Sequence, residues 1–432
     1  MEEVGKIAKQ AEDEQARETA KNPVIKQMFQ IVYTFIQTHR VMCYGGTAIN
    51  NLLPKNDQFY DTDVDLPDYD FFSETPQVHA AKLADRLADA GFKSVEVKAG
   101  IHLGTFKVFC DYVPVADVSH MDTKMFEQLW KDSIVKDDVH YASPNFLRMA
   151  MYLELSRPKG DVSRWTKVYG RLQRLNRNYP MTCPTKEENV QGTYLTEPVR
   201  KQTKSLLIRE KVVLLGFNAT MIQESGAAAS RWMLPIDVLA TPDKIPDLAK
   251  MFKDIFGKHE GVHIQKNPAY EEYLPASTDI MDKEFTLVRI YETTACHSYH
   301  VNKSGLMVAS IPTLLQFFFA LVYSPAELRD SLPQQRLLCT AEHLVNLANS
   351  NTSRRHKILT PTTCLGTQKT LVDMRVERSD IFQKLSKDKA SREFLSYFFE
   401  YRPVLLSKTE RRRTRETVRK TLKIRQRKHS GR

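Results

Sequence analysis

The chain has 432 residues, 42% of them hydrophobic, and a formal net charge of +11. That length predicts two or three domains, and no apolar run approaches the roughly 20 residues of a membrane span. The N-terminus, MEEVGKIAKQAEDEQ, is charged and has no apolar stretch, so no signal peptide is expected. The six cysteines, Cys43, Cys110, Cys183, Cys296, Cys339 and Cys364, lie far apart without a CxxC pair. This predicts neither a zinc ribbon nor a disulfide framework and fits a reducing, cytosol-like compartment. The charge is uneven: Thr409–Arg432 carries eleven Lys and Arg against Glu410 and Glu416, a net of +9, which leaves +2 for everything before it. The pattern is a near-neutral globular protein with a basic tail.

Residues 1–22 read as a polar helix or frayed arm. Pro23 starts the next helix, whose apolar residues Val24, Ile25, Met28, Phe29, Ile31, Val32, Phe35 and Ile36 recur at helical spacing. Val41–Tyr44 is a short apolar strand. Gly45-Gly46 lets the backbone turn sharply and lie close to a ligand, and Thr47–Leu53 opens a helix whose free N–H groups suit an anionic phosphate. An acidic loop, Asp61-Thr62-Asp63-Val64-Asp65, follows. An EF-hand would need Gly at Leu66 and Glu at Phe72, so a solvated loop is the better reading. A second strand over Leu66–Phe72 puts Asp68 and Asp70 on one face. Two carboxylates beside a phosphate cradle are half of a divalent metal site.

Glu74–Ala90 reads as an amphipathic helix stopped by Gly91. Strands follow at Val95–Val97 and Thr105–Tyr112; Pro114 interrupts the run and Val115–Val118 resumes it. Ser143-Pro144 opens a helix through Leu147, Met151 and Leu155. Beyond it, Arg164, Lys167 and Arg171 share one helix face. That face either meets triphosphate or RNA backbone, or is a solvated basic surface over a core of Trp165, Val168 and Leu172.

Gly-Gly, a helix, then Asp-x-Asp on a strand resembles the active site of the polymerase-β-type nucleotidyltransferases. The fuller string GGTAIN…DYDFFS, with ELSRP and RW-xx-VY-x-RL at 154–172, resembles the poly(A) polymerase catalytic subunits of large nucleocytoplasmic DNA viruses. The resemblance is strong from Val41 to about Arg174 and weak beyond. It implies a third carboxylate on a neighbouring strand. Asp111 and Asp117 are the candidates, and Asp117 is preferred because its flanks, Ala116 and Val118, suit a buried strand. The family pattern has a similar apolar-Asp-apolar triplet. The resemblance then gives Asp68, Asp70 and Asp117 as catalytic residues and ligands of two Mg2+ (or Mn2+) ions. Gly45, Gly46, Thr47, Arg164 and Lys167 become the nucleotide-binding residues.

Residues 176–200 are polar, with Pro180, Pro184 and Pro198, and mark a domain boundary. An internal echo follows at an offset of roughly 170 residues. Val212–Thr220 parallels Val41–Ile49, Leu234–Pro242 parallels Leu66–Pro76, and Val308–Leu315 parallels Tyr141–Leu147. The second copy has Phe217 for the second glycine and Asp237 alone for the Asp-x-Asp, so it is read as a domain that does not catalyse. Cys296–His300 has no partner pair at zinc spacing and reads as a strand. Ile311–Tyr323 is a strongly apolar helix, and Phe317-Phe318-Phe319 could serve either a core or a dimer contact. Gln335–Leu347 and Arg375–Phe399 read as further helices. The tail from Arg411 lacks apolar periodicity, is expected to be disordered alone, and would bind nucleic acid through phosphates.

The expected class is α/β (α+β): a polymerase-β-like nucleotidyltransferase domain, a degenerate second copy, and flanking helices. The expected boundaries are 1–40 helical, 41–190 catalytic, 200–400 degenerate and 405–432 basic tail. The resemblance implies an enzyme that adds AMP from ATP to RNA 3′ ends without a template, with RNA and ATP as partners and no membrane. A homodimer or a cap-methyltransferase subunit would be the protein partner. It also implies a location in the host cytoplasm, in viral factories, with the virion as a second site. The competing reading is a non-catalytic RNA-binding or scaffold subunit; a third is a terminal transferase of another nucleotide specificity.

Overall fold

Asn22 accepts the Val24 amide hydrogen through its side chain, and Pro23 supplies the φ that suits a first helical position, so two helices join at one residue. They are α1 (Glu2–Lys21) and α2 (Pro23–Thr38), the second burying Met28, Phe29, Val32, Phe35 and Ile36. The computed structural model describes residues 2–61, 63–183, 193–225, 231–257, 261–329, 332–349 and 362–423. The chain divides into two units, Met1–Leu147 with Leu371–Arg432, and Arg148–Thr370.

The first unit continues with β1 (Met42–Tyr44), α3 (Gly45–Leu52), β2 (Asp70–Ser73), α4 (Pro76–Asp89), β3 (Val95–Ala99), β4 (Thr105–Cys110), β5 (Val113–His120), α5 (Thr123–Lys131), β6 (Ile134–Lys136), β7 (Val139–Tyr141) and the start of α6 (Pro144–Leu155). The second unit holds the rest of α6, then α7 (Trp165–Asn178), α8 (Glu197–Glu210), β8 (Val213–Leu214), α9 (Gly216–Ser225), β9 (Ile236–Ala240), α10 (Ile245–Phe256), β10 (Val262–Asn267), β11 (Ser277–Asp282), β12 (Phe285–Glu292), β13 (His297–Val301), β14 (Met307–Ala309), α11 (Ile311–Val322), α12 (Gln334–Asn349) and β15 (Cys364–Leu365). The chain then returns to the first unit as α13 (Leu371–Leu385), α14 (Arg392–Phe398), β16 (Glu400–Tyr401) and α15 (Lys408–Lys423).

Each unit is built on an eight-stranded mixed sheet, in the order β16-β3-β4-β5-β2-β1-β7-β6 in the first and β10-β11-β12-β9-β8-β14-β13-β15 in the second. The pairing repeats. β1 is antiparallel to β2 and parallel to β7, and β2 is parallel to β5. Likewise β8 is antiparallel to β9 and parallel to β14, and β9 is parallel to β12. The echo in the sequence is therefore a repeat of topology.

Several expectations need correction. The catalytic and degenerate domains were expected at 41–190 and 200–400; the second unit begins instead at Arg148, and 371–432 returns to the first. Polar, proline-rich 176–200 misled because the chain changes units inside α6, whose apolar residues serve one core and then the other. The basic tail is not a free segment up to Lys423: α15 lies on α4, with Val418 buried, Arg411 bound to Asp89 and Arg415 to Asp85. The expected strand over Leu66–Phe72 starts only at Asp70, since Pro67 has no N–H to give a ladder. Pro114 does not interrupt β5, because the β4–β5 register shifts between Val108 and Phe109 and sets Phe109 opposite Pro114.

Four cysteines form disulfides, Cys183–Cys339 and Cys296–Cys364. Partners 156 and 68 residues apart leave no spacing signature in the sequence, so the absence of CxxC excluded nothing here. Phe317, Phe318 and Phe319 are buried with nearly all of α11, so they form core and have no surface to offer a dimer. No helix among the described residues is long and apolar enough to cross a membrane.

Candidate active site

The site is set by three neighbouring strands of the first sheet. Tyr44 ends β1, and Gly45 follows with φ +73°, a left-handed conformation that glycine reaches without strain. The Gly-Gly pair is the first turn of α3, so the free amides there belong to Gly45, Gly46 and Thr47 themselves. A Cβ on Gly45 would stand 2.5 Å from Asp70 Oδ2. The glycine thus makes room for a carboxylate.

Asp70 opens β2 and is cross-strand to Tyr44 on one side and to Asp117 on the other. The Asp117 amide donates to the Tyr69 carbonyl at 2.9 Å, fixing the register at that level. Asp68 lies on the extended lead-in, exposed, and its carbonyl accepts the Thr47 hydroxyl at 2.6 Å. Thr47 is buried. Its side chain holds the backbone that carries Asp68, and only its amide is left for a ligand. Asn50, also buried, accepts the amides of Phe59 and Tyr60 at 2.8 and 3.0 Å and anchors the acidic loop to α3. Within that loop Asp61 and Asp65 cap backbone amides of the same turn, in keeping with a solvated loop.

Asp111 lies in the β4–β5 turn at φ 45°, where its carboxylate accepts the Ser94 amide. Asp117 lies four residue steps along the strand from Val113, about 13 Å at extended rise. The ladder brings Asp117, and not Asp111, beside Asp70.

The sequence reading missed Lys107. It is cross-strand to Asp117, and its Nζ lies 2.5 Å from Asp117 Oδ2. Alternation in Thr105–Cys110, with Phe106 and Val108 buried, was the available signal: Lys107 had to share the face opposite those two. Among the described residues no group of three His, Cys, Asp or Glu side chains is arranged to hold a metal ion. The donor set nevertheless suits a hard divalent cation. The donors are carboxylate oxygens, the type such ions take, and that of Asp117 already meets the cationic Lys107 ammonium. Burial and the nearby Asp70 charge raise the Cys43 thiol far above its usual range, so it is inert packing beneath the site.

Arg164 and Lys167 belong to the second unit. Arg164 is the N-cap of α7 and pairs with Glu154 at 3.2 Å; Lys167 is exposed one turn on. Of the expected core trio, Val168 and Leu172 are buried and Trp165 is half-buried.

The second unit repeats the frame with other side chains. Gly216 has φ +62° and stands against the carboxylate of Asp237, as Gly45 stands against Asp70. Phe217 follows where Gly46 would be, Pro235 stands at the Asp68 position, and Arg289 is cross-strand to Asp237 where Asp117 would be. A cleft at this place is lined by Gly216, Phe217, Asp237, Arg289 and Tyr291, among others.

With that geometry in view, the comparisons with known proteins are direct. Residues 30–161 match the family described as poly(A) polymerase catalytic subunit. The match covers 132 of the 432 residues. It contains β1, α3, β2 and β5, hence every carboxylate of the site. A candidate poly(A) polymerase catalytic subunit of Acanthamoeba polyphaga mimivirus is 25% identical over 217 residues, 48% of this chain and 36% of that protein. The African swine fever virus counterpart is 30% identical over 163 residues, 36% of this chain and 34% of its own. The alignments thus span about a third of these relatives. The crystal structure of the Megavirus polyadenylate synthase superposes with a TM-score of 0.77 at 19% identity, over 97% of this chain and 88% of that one. The likeness of fold to that structure therefore runs through both units, while the family match lies mostly in the first.

Proposed function

We propose that this chain adds AMP from ATP to the 3′ end of RNA without a template, releasing pyrophosphate. The observation that carries the reading is the rung Tyr44–Asp70–Asp117 beside the left-handed Gly45, inside the segment that matches the poly(A) polymerase family. Asp68, Asp70 and Asp117 would hold Mg2+ or Mn2+. When bound, such ions neutralise the triphosphate and raise the nucleophilicity of the RNA 3′-hydroxyl. The chain does the rest by position. The amides of Gly45, Gly46 and Thr47 at the N-terminus of α3 take phosphate oxygens. The Thr47–Asp68 hydrogen bond keeps the lead-in strand against that helix. The β2–β5 ladder keeps two carboxylates level, so the hydroxyl and the α-phosphate meet in line. ATP over other nucleotides is taken from the named relatives.

Primer extension tests this: a short labelled RNA, each NTP separately, Mg2+ or Mn2+, with wild type against Asp68→Ala/Asp70→Ala. A ladder with ATP that the variant loses is expected. A ladder with UTP alone would change the nucleotide, and a ladder that survives the double substitution would sink the site.

A further inference from the structure

α15 is the most basic element of the fold, and it is held in an unusual way. It runs antiparallel to α4, as its contacts show in order: Arg411 binds Asp89, and Arg415, one turn later, binds Asp85. Tyr401 also donates to Asp85, at 2.7 Å. The acidic side of α4 is then used up. The next turn of α15 brings Arg419 toward the earlier turns of α4, which offer Lys82 and His79. Arg86 stands one turn from Lys82 on the same helix, bonded to the Thr38 hydroxyl at 3.2 Å and lying over the Phe35 ring. Among the described residues neither Lys82 nor Arg419 meets a carboxylate. Five cations (Lys82, Arg86, Arg411, Arg415, Arg419) thus share two acids, and three positive charges are left over.

The crowding is felt at Lys82. Burial, and then the guanidiniums of Arg415, Arg419 and Arg86, hold its ammonium below the usual range. A folded chain gains nothing from gathering like charges on two packed helices unless something outside it carries the opposite charge. The array is linear along the helix axes, with cations recurring at about one helical turn, 5.4 Å, as suits a polyanion with regularly repeated charges. Arg86 and Arg419 are exposed and Lys82 is half-buried, so all three can be reached. The sequence beyond Lys423 continues basic, with Arg425, Arg427, Lys428 and Arg432.

We propose that the α4–α15 surface is a docking track for the phosphate backbone of single-stranded RNA, distinct from the carboxylate site. It would hold the strand behind its 3′ end, without reading bases. The inference rests on the proposed adenylyl transfer for the identity of the polyanion.

The test uses the full chain, wild type and Lys82→Gln/Arg419→Gln, with Lys82→Glu/Arg419→Glu as the stronger variant. Arg411 and Arg415 are left alone because they attach the helix. Binding of a labelled 30-nucleotide oligo(A) is followed by anisotropy without ATP at several salt concentrations, and circular dichroism verifies folding. The neutral variant should bind several-fold more weakly, with a log–log salt slope smaller by about 1.4, the value for two lost single-strand phosphate contacts. AMP addition to a primer too short to reach α15 should be unchanged. Unaltered affinity and slope, in chains that still add AMP, would overturn the track and leave the enzyme reading intact. Weakened RNA binding in chains whose wild type adds no AMP would support the track and remove the enzyme reading. Loss of binding to phosphatidylserine vesicles with RNA binding retained would overturn the track in favour of a membrane surface.

Discussion

Arg289 faces Asp237 across the β9–β12 ladder, on the rung where the first unit sets Asp117 against Asp70. One strand further the exchange is repeated in reverse. Lys107 pairs with Asp117 in the first unit, and Asp279 with Arg289 in the second. The two units thus keep an ion pair on equivalent rungs with its signs swapped. An arginine thus stands in the second unit on the rung where the first unit has the proposed third carboxylate, so the proposed cation seat is not repeated there.

The Gly45→Ala variant should separate folding from catalysis. Alanine at φ +73° costs about 1–2 kcal/mol of backbone strain, which a fold of this size tolerates. Its Cβ, however, collides with Asp70 Oδ2. Moving that carboxylate should reduce AMP addition by about 10^2-fold or more. A melting curve near wild type together with a lost ladder in primer extension is the expected pair of results; normal extension would show that Asp70 has another place to go.

Lys107 competes for the Asp117 carboxylate with any bound cation. The Lys107→Met variant keeps the bulk of the side chain and removes the charge. The Mg2+ concentration giving half-maximal extension should then fall several-fold, while Asp117→Asn should raise it and lower the maximal rate. Titrating Mg2+ at saturating ATP measures both. A rise in half-saturating Mg2+ for Lys107→Met would mean that the ammonium helps hold the site rather than blocking it.

The residues brought together at the candidate site were more legible in the sequence than the architecture around them. Gly45, Gly46, Asp68 and Asp70 fall within 26 consecutive residues, and strand alternation and glycine chemistry act at that range. Asp117 could be preferred over Asp111 from its apolar neighbours alone. Lys107 was hidden because cross-strand partners are set by register, and the β4–β5 register depends on a bulge that no local pattern announces. The return of 371–432 to the first unit was hidden for the same kind of reason. Arg411, Arg415 and Val418 read as a charged tail until Asp85 and Asp89 are seen to await them more than 300 residues earlier. The repeat, by contrast, was legible, since hydrophobic frames survive when side-chain chemistry decays.

His79 should give the fold an acid limit. It sits behind β2, its Nδ1 2.6 Å from the Ser73 hydroxyl, which itself accepts the Thr75 amide. That network assigns Ser73 as donor and the imidazole as neutral acceptor. Burial, then the charges of Lys82, His39 and Arg419, lower its pKa to about 4. The folded state therefore binds the proton less readily than the unfolded chain. The stability this group contributes is complete above about pH 6.5 and is lost as pH falls toward 4, to a total of about 3 kcal/mol. The melting temperature should drop across that window, and His79→Gln should flatten the drop even if it lowers the starting value. An identical pH slope in the variant would place the acid sensitivity elsewhere.

Arg289 should matter for stability and not for chemistry. Its guanidinium meets the Asp279 carboxylate through Nε at 3.0–3.1 Å and Nη2 at 2.6 Å, and also donates to the Leu328 carbonyl at 2.7 Å. Both side chains are almost wholly out of water, 4% and 1% exposed. Arg289→Ala leaves Asp279 with only the neutral donors Ser277 and Asn267, and stranding a buried carboxylate in this way costs about 3–5 kcal/mol. Urea unfolding should show that loss. Below the shifted transition, AMP addition per folded molecule should match wild type, because the proposed chemistry belongs to Asp68, Asp70 and Asp117. Arg289→Ala/Asp279→Ala should recover part of the stability by removing the orphaned charge. A double variant as unstable as the single one would place the contribution of Arg289 in its packing and in its bond to Leu328 instead.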